Sequence, residues 1–329
     1  MISSPPPRSG ERIVVAGGSG FVGSHVVAKL CAAGHDVVVL TRRRERARHL
    51  LLLPTARVVE VDPYDPAALA RWTRHATVAI NLAGVLHQRG RATFERVHVE
   101  FPRTFAASCR AGGVTRFVHM SAVGASADAP SAYLRSKAEG ESQIHAARAT
   151  GIQSTILRPS VVFGREDRFL NLFATLARLL PVIALASPNA RFQPIHVEDV
   201  ARKLTDCLTD PYSYGQSYDL CGPRVYTLRE LVEIVCRTIG IHRPIIGLNE
   251  TLSLLQAGVL ERLPGKLMTR DNIYSMRIDS VCDCDPAERL GFAPTPLEAV
   301  IPEYLAGVTP RTRYRWFRFR ARRKIEGTL

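Results

Sequence analysis

No apolar run reaches eighteen residues in this 329-residue chain. A membrane-spanning helix needs about that many, so none is predicted. The first residues, "MISSPPPRSGER", have no apolar stretch of the kind a secretory signal carries and read as a disordered lead. These two absences set the expectation of a cytoplasmic protein. The ten histidines form no HExxH or other metal-ligand pattern, and "CDC" at 282–284 lacks a second pair at ligand spacing, so no metal is expected. The seven cysteines are odd in number and scattered, and without an export signal they are expected to be reduced thiols. Internal repeats are also absent.

The composition is that of a globular protein, 46% hydrophobic and 22% charged. The net charge of +14 is uneven. Residues 310–329 alone carry eight Arg/Lys and one Glu, half of the excess. In that tail Arg alternates with Tyr314, Trp316, Phe317 and Phe319. Arginine mixed with rings suits an anionic membrane surface through 311–324, or an acidic protein partner. Nucleic acid is less favoured, because nothing else in the chain reads as a nucleic-acid fold.

The N-terminal half alternates β-branched runs with helical stretches: "RIVVAG" (12–17), "DVVVLT" (36–41), "ARVVEVD" (56–62), "TVAINLAG" (77–84) and "RFVHMSA" (116–122). Strands separated by helical crossovers predict an α/β, Rossmann-type doubly wound parallel sheet. "STILRPSVVFG" (154–164) and "QSYDLCG" (216–222) read as later strands. "TLRELVEIVCRTIG" (227–240) is an amphipathic helix capped by Thr227 and stopped at Gly240. Residues 250–310 look irregular. The expected organisation has residues 1–11 as the lead and 12–163, with 192–223, as a nucleotide-binding domain. Residues 164–191 and 224–308 would form a smaller, interleaved domain, and 309–329 the tail.

"AGGSGFVG" sets Gly17, Gly20 and Gly23 directly after the first strand, with a helix beginning near Gly20 and Phe21 and Val22 among the candidate cofactor contacts. Glycines let the backbone approach a pyrophosphate, and the helix N-terminus offers unpaired N–H groups. An NAD site usually ends its second strand with an acidic residue. Here Thr41 is followed by Arg42, Arg43 and Arg44, guanidinium groups suited to a 2′-phosphate. NADP(H) is therefore expected, with NAD(H) the alternative. Downstream, Ser121, Tyr133 and Lys137 form a dehydrogenase-type set. Residues four apart share a helix face, and an ammonium beside a phenol favours the phenolate. Ser121 would donate to a substrate oxygen.

With Gly17/Gly20/Gly23, "NLAG" (81–84), Ser121, Tyr133-x-x-x-Lys137, "LRPSVVFG" (157–164) and "FQPIHVEDVA" (192–201), the chain resembles the short-chain dehydrogenase/reductase superfamily, in its extended or atypical branch. "LMTRDNIYSMRIDSV" (267–281) is most similar to the bacterial relatives of the NADPH-binding accessory subunit of respiratory complex I. The resemblance implies that Gly17, Gly20 and Gly23 carry the pyrophosphate and Arg42 and Arg43 the 2′-phosphate. Asp62 would face the adenine, and Ala83 and Gly84 would line the cofactor. Lys137 would hold the nicotinamide ribose, with Pro159 and Val162 near the nicotinamide. It also implies a partner, complex I, at the inner face of the cytoplasmic membrane, and little turnover. The alternative is a free-standing NADPH-dependent reductase or epimerase using Ser121, Tyr133 and Lys137 on an apolar carbonyl or a nucleotide sugar. His98 stands where many relatives have Asn. Phe163, Phe169, Phe173 and Phe192 would suit an apolar ligand but read first as core.

Overall fold

Ile13 and Val15 point to one side of the first strand and Val14 and Ala16 to the other, and all four are buried. Such burial on both faces is what a continuous β-branched run requires, and it places this strand mid-sheet. The computed structural model describes residues 10–149, 151–262 and 267–306. The first half runs β1 (Arg12–Ala16), α1 (Phe21–Ala32), β2 (Asp36–Thr41), β3 (Ala56–Glu60), α2 (Pro66–Thr73) and β4 (Val78–Asn81). A π-helical segment (Glu95–Glu100) leads into α3 (Phe101–Ala111), followed by β5 (Arg116–Met120), α4 (Ala132–Arg148) and β6 (Gln153–Pro159). The second half has β7 (Val162–Phe163), α5 (Phe169–Leu179), β8 (Ile183–Leu185), β9 (Arg191–Phe192), β10 (Ile195–His196) and α6 (Val197–Thr209). Then come β11 (Ser217–Leu220), β12 (Tyr226–Thr227), α7 (Leu228–Thr238), β13 (Ile245–Gly247), α8 (Glu250–Leu260), α9 (Arg270–Ser275), α10 (Pro286–Leu290) and α11 (Leu297–Leu305).

Seven strands form one parallel sheet in the order β11-β6-β5-β4-β1-β2-β3. The order reverses between β1 and β4, which opens a crevice beyond their carboxyl ends, where ligands of such sheets bind. One face packs on α1 and α6 through Val26, Val27, Leu30, Val200 and Leu204. The other packs on α2 and α3 through Leu69, Phe101 and Phe105. Fully burying such a side chain contributes roughly 1.5–3 kcal/mol. A separate core gathers Phe163, Phe173 and Phe192 with Leu231, Val235 and Ile301, with Phe169 packed against it, so those four rings are core and not a ligand pocket.

Three expectations change. The single run 154–164 is broken: the ladder ends at Pro159, and Val162–Phe163 pairs instead with Ile195–His196. Residues 250–310, read as irregular, hold four helices among the described residues. Their starts are carried by Asn249, by Thr269 with Asn272, by Asp285 ahead of Pro286 and by Pro296, while Pro302 lies within α11. The cysteines are not all reduced. Cys221 and Cys282 form a disulfide, with Cα atoms 6.1 Å apart across 61 residues of sequence, a proximity that spacing cannot reveal. By contrast, α7 has the expected Thr227 cap, completed by Glu230 as a capping box, and Gly240 follows at φ +72°. The tail 309–329 and most of the lead lie outside the described residues.

Candidate functional site

The turn after β1 fits a dinucleotide cradle. Gly17 has φ +78°, and a Cβ there would meet Ala83 N and the Leu82 carbonyl carbon at 2.6 Å. At Gly23 a Cβ would meet the Gly17 carbonyl oxygen at 2.3 Å, so only glycine lets α1 enter this close to the turn. Gly20 is the N-cap of α1, with no side-chain cap hydrogen bond among the described residues. Phe21 lies against Gly164, where an added Cβ would stand 3.1 Å from the ring. The backbone at Gly17–Gly23 thus leaves room and donors for an anion.

Arg42 and Arg43 follow β2 at the same edge of the sheet and are exposed. Arg43 N–H donates to Thr41 Oγ1 at 3.2 Å, which fixes the bend, and among the described residues neither guanidinium has a carboxylate within 4.0 Å. Asp62 follows β3, and its carboxylate accepts from Tyr64 N–H at 3.0 Å. The Arg96 guanidinium lies 4.0 Å over the Tyr64 ring. Tyr64 and Arg96 were missed in the sequence because neither belongs to a motif, and only the fold brings the π-helical segment beside β3.

Behind the crevice lies a buried polar network. Asn81 Oδ1 accepts from Ala83 N–H at 3.0 Å, and Asn81 Nδ2 lies 3.1 Å from His119 Nδ1. His98 Nε2 accepts from Val85 N–H at 3.0 Å, so its proton is on Nδ1, which donates to Ser136 Oγ at 2.8 Å. Ser136 Oγ–H in turn donates to the Tyr133 carbonyl at 2.7 Å. His98, where Asn was the more familiar residue, therefore ties the Gly84–Val85 strand end to the Tyr133 turn. Burial, with Lys137 adding repulsion, pushes His98 down to about 2 and His119 to about 3, so both imidazoles are neutral.

Lys137 is buried and its Nζ donates to the Met120 carbonyl at 3.1 Å, beside Ser121. A Cβ on Gly84 would stand 3.4 Å from that Nζ. Burial lowers Lys137 to about 8, with Glu141 opposing. Ser121 Oγ is buried and has no hydrogen-bond partner among the described residues. Tyr133 packs its ring against His98 and Phe94, and burial raises its hydroxyl to about 12. The expected pull of the lysine toward phenolate does not offset that burial. Pro159 and Val162 bracket Ser160 at the end of β6; the Pro159 carbonyl accepts from Val123 N–H at 3.1 Å.

The segment 269–282 crosses this side of the crevice. Asp271 caps α4 by accepting from Ala132 N–H (2.7 Å) and Tyr133 N–H (3.0 Å). A Cβ on Gly124 would lie 3.3 Å from Ile278, in the loop that follows Ser121. Ser160 Oγ donates to the Ser280 carbonyl at 2.6 Å. Cys282 N–H donates to Gln193 Oε1 at 3.0 Å, and Cys282 is bonded to Cys221. Hydrogen bonds and the disulfide thus join this one strap to the start of α4, to Ser160, to Gln193 and to Cys221. Among the described residues no group of His, Cys, Asp and Glu could hold a metal ion, and no helix is long and apolar enough to cross a membrane.

A family model described as the NAD dependent epimerase/dehydratase family matches residues 13–221. The chain is 34% identical over 322 residues to the mitochondrial NADH dehydrogenase (ubiquinone) 1 alpha subcomplex subunit 9 of Mus musculus, covering 94% of this chain and 82% of the relative. It is 30% identical over 266 residues to the ceramide reductase of Caulobacter vibrioides, covering 80% and 81%. Among solved structures it is similar to UDP-glucose 4-epimerase of Thermotoga maritima with UDP-glucose bound, TM-score 0.68 at 18% identity, over 89% of this chain and 98% of that one. MoeE5 in complex with UDP-glucose and NAD has TM-score 0.70 at 20% identity, over 93% and 99%.

Proposed function

The chain belongs to the NAD dependent epimerase/dehydratase family, and from that premise we propose that it is an NADP(H)-holding accessory or assembly component of respiratory complex I, with little or no turnover of its own. The relative named as an NADH dehydrogenase (ubiquinone) subunit supports the complex I partner. Gly17, Gly20 and Gly23, with Phe21 and Val22 at the start of α1, would hold the pyrophosphate. Arg42 and Arg43, lacking carboxylate partners, would take a 2′-phosphate, and Asp62 would stand on the adenine side. Ala83 and Gly84 would line the cofactor, Lys137 would reach the ribose, and Pro159 and Val162 would flank the nicotinamide. When bound, the nicotinamide supplies a hydride donor or acceptor.

The observation that carries the low-turnover reading is the strap. Asp271, Ser280 and Cys282 are bonded to the same turns that would receive a substrate. Tyr133, raised to about 12, and Lys137, turned to a backbone carbonyl, serve better to fix a ribose than to shuttle a proton at neutral pH.

A second reading, a free NADPH-dependent reductase or epimerase, has one observation in its favour: the orphaned Ser121 Oγ, buried next to Lys137. Titrating the purified chain with NADPH and NADH, then following NADPH oxidation with quinones, long-chain ketones and nucleotide sugars, separates the two. Tight NADPH binding without oxidation supports the accessory reading. Oxidation abolished by Tyr133→Phe overturns it.

A further inference from the structure

The small domain presents an apolar face that the site does not use. At the end of α5 the run Leu179, Leu180, Pro181, Val182 is exposed, Leu179 by 74%. In the β8–β13 pair Ala184 stands opposite Ile246, and both face outward. Gln256 of α8 donates to the Ala184 carbonyl at 2.9 Å, which sets α8 against this same strand. The neighbouring stripe of α8, Leu252, Leu255 and Val259 at helical spacing, is exposed while Ser253 and Ala257 face the core. Seven large aliphatic side chains thus share one side of the domain, an unusual exposure for a protein surrounded by water.

Four arginines rim this face, and each gives a donor to a backbone carbonyl: Arg178 to Leu305, Arg243 to Ala177, Arg229 to Ile245 and Arg262 to Gly258. Among the described residues none of the four has a carboxylate within 4.0 Å, so their charges are not neutralised by the protein. The bond from Arg178 to Leu305 also fixes where the described chain ends: α11 closes beside Leu179. The 23 residues that follow 306 carry eight Arg/Lys, one Glu and four aromatic residues. Ala306, the last described residue before that basic, ring-bearing stretch, therefore lies at the edge of the apolar face.

The geometry points to this face as the surface that docks on an anionic lipid bilayer, with the aliphatic side chains entering the headgroup boundary and the four arginines at phosphate level. It deepens the membrane-associated reading above and rests on it for location, not on the nucleotide. Apolar insertion and headgroup charge act together in such binding, and only the second is screened by salt.

The test is co-sedimentation of the full chain with vesicles of phosphatidylcholine, with and without phosphatidylglycerol, at low and high salt. NADPH affinity is measured on the same preparations. Binding to the anionic vesicles is expected, and Leu255→Asp with Val259→Asp should weaken it by about a hundredfold or more, the loss of burying two aliphatic side chains. NADPH affinity should be unchanged by that variant, because α8 touches none of the nucleotide residues. Truncation after residue 308 should remove most of the salt-sensitive part and leave a residue of binding that the α8 variant abolishes. If the α8 variant binds anionic vesicles as the wild type does, the face is not the lipid surface. If the wild type binds no vesicle and sediments as a dimer that the α8 variant dissociates, the occupant is a second copy and the inference fails. Loss of NADPH binding with vesicle binding intact would count against the nucleotide reading alone.

Discussion

The Asp271 carboxylate accepts hydrogen bonds from the backbone N–H groups of both Ala132 and Tyr133, 139 and 138 residues away in sequence. Those are among the N–H groups that the first turn of α4 cannot satisfy internally. Ser131 Oγ takes a third, from Leu134 at 3.1 Å. A negative charge at a helix start is stabilising in its own right. The turn carrying Tyr133 is therefore held by a residue of the strap.

Asp271→Ala should consequently lower stability by about 1–2 kcal/mol, the range for losing a helix cap. Chemical denaturation reads the midpoint, and hydrogen exchange should show faster exchange at 132–134 and across 269–280. NADPH affinity should stay within about threefold, because Asp271 touches none of the proposed nucleotide contacts.

Arg42→Glu with Arg43→Glu should weaken NADPH binding by at least tenfold, about 1.4 kcal/mol, while NADH binding changes little. Fluorescence titration with both nucleotides measures the ratio. Equal losses for the two would remove the 2′-phosphate assignment.

Stability should fall on the acid side. Unfolded histidine titrates near 6.5, whereas folded His98 and His119 stay neutral down to about 2 and 3. Below about pH 6.5 the unfolded chain binds more protons, so unfolding is favoured as pH drops, by about 2 kcal/mol per histidine at about pH 5. His119→Gln should flatten that slope between about pH 6.5 and 5. On the alkaline side Lys137, lowered to about 8 from 10.5, gives the same sign in a higher window. Between those values the unfolded chain holds the extra proton, so this contribution to stability rises with pH, and Lys137→Met should remove the rise.

Reduction should loosen the strap. The Cys221–Cys282 bond closes a span of 61 residues, for which loop-closure entropy gives about 4 kcal/mol as an upper value. Thermal unfolding of the wild type should shift down with dithiothreitol, and Cys282→Ser should be insensitive to it. An equal shift in both would assign the effect elsewhere.

The sheet and the glycine turn were legible because each rests on local signals: β-branched runs such as Val37–Leu40, and Gly17 and Gly23, where close approach forbids a side chain. Thr227 and Gly240 marked α7 for the same reason. The strap was not legible in its role. "LMTRDNIYSMRIDSV" stood out by resemblance, but nothing local joins Asp271 to Tyr133, Ser280 to Ser160 or Cys282 to Cys221. The acidity of Tyr133 was likewise beyond reach. Spacing puts Lys137 one turn away, whereas the desolvation that wins depends on Phe94 and His98 packing around the ring.

The most direct measurement is to solubilise native membranes gently, separate their complexes on a native gel and blot for this chain in wild-type and Tyr133→Phe cells. The account predicts that the chain migrates with NADH-oxidising complex I, and that Tyr133→Phe leaves both the band and the assembly unchanged. A signal confined to the soluble fraction, or complex I assembly lost with Tyr133→Phe while NADPH binding persists, would contradict it.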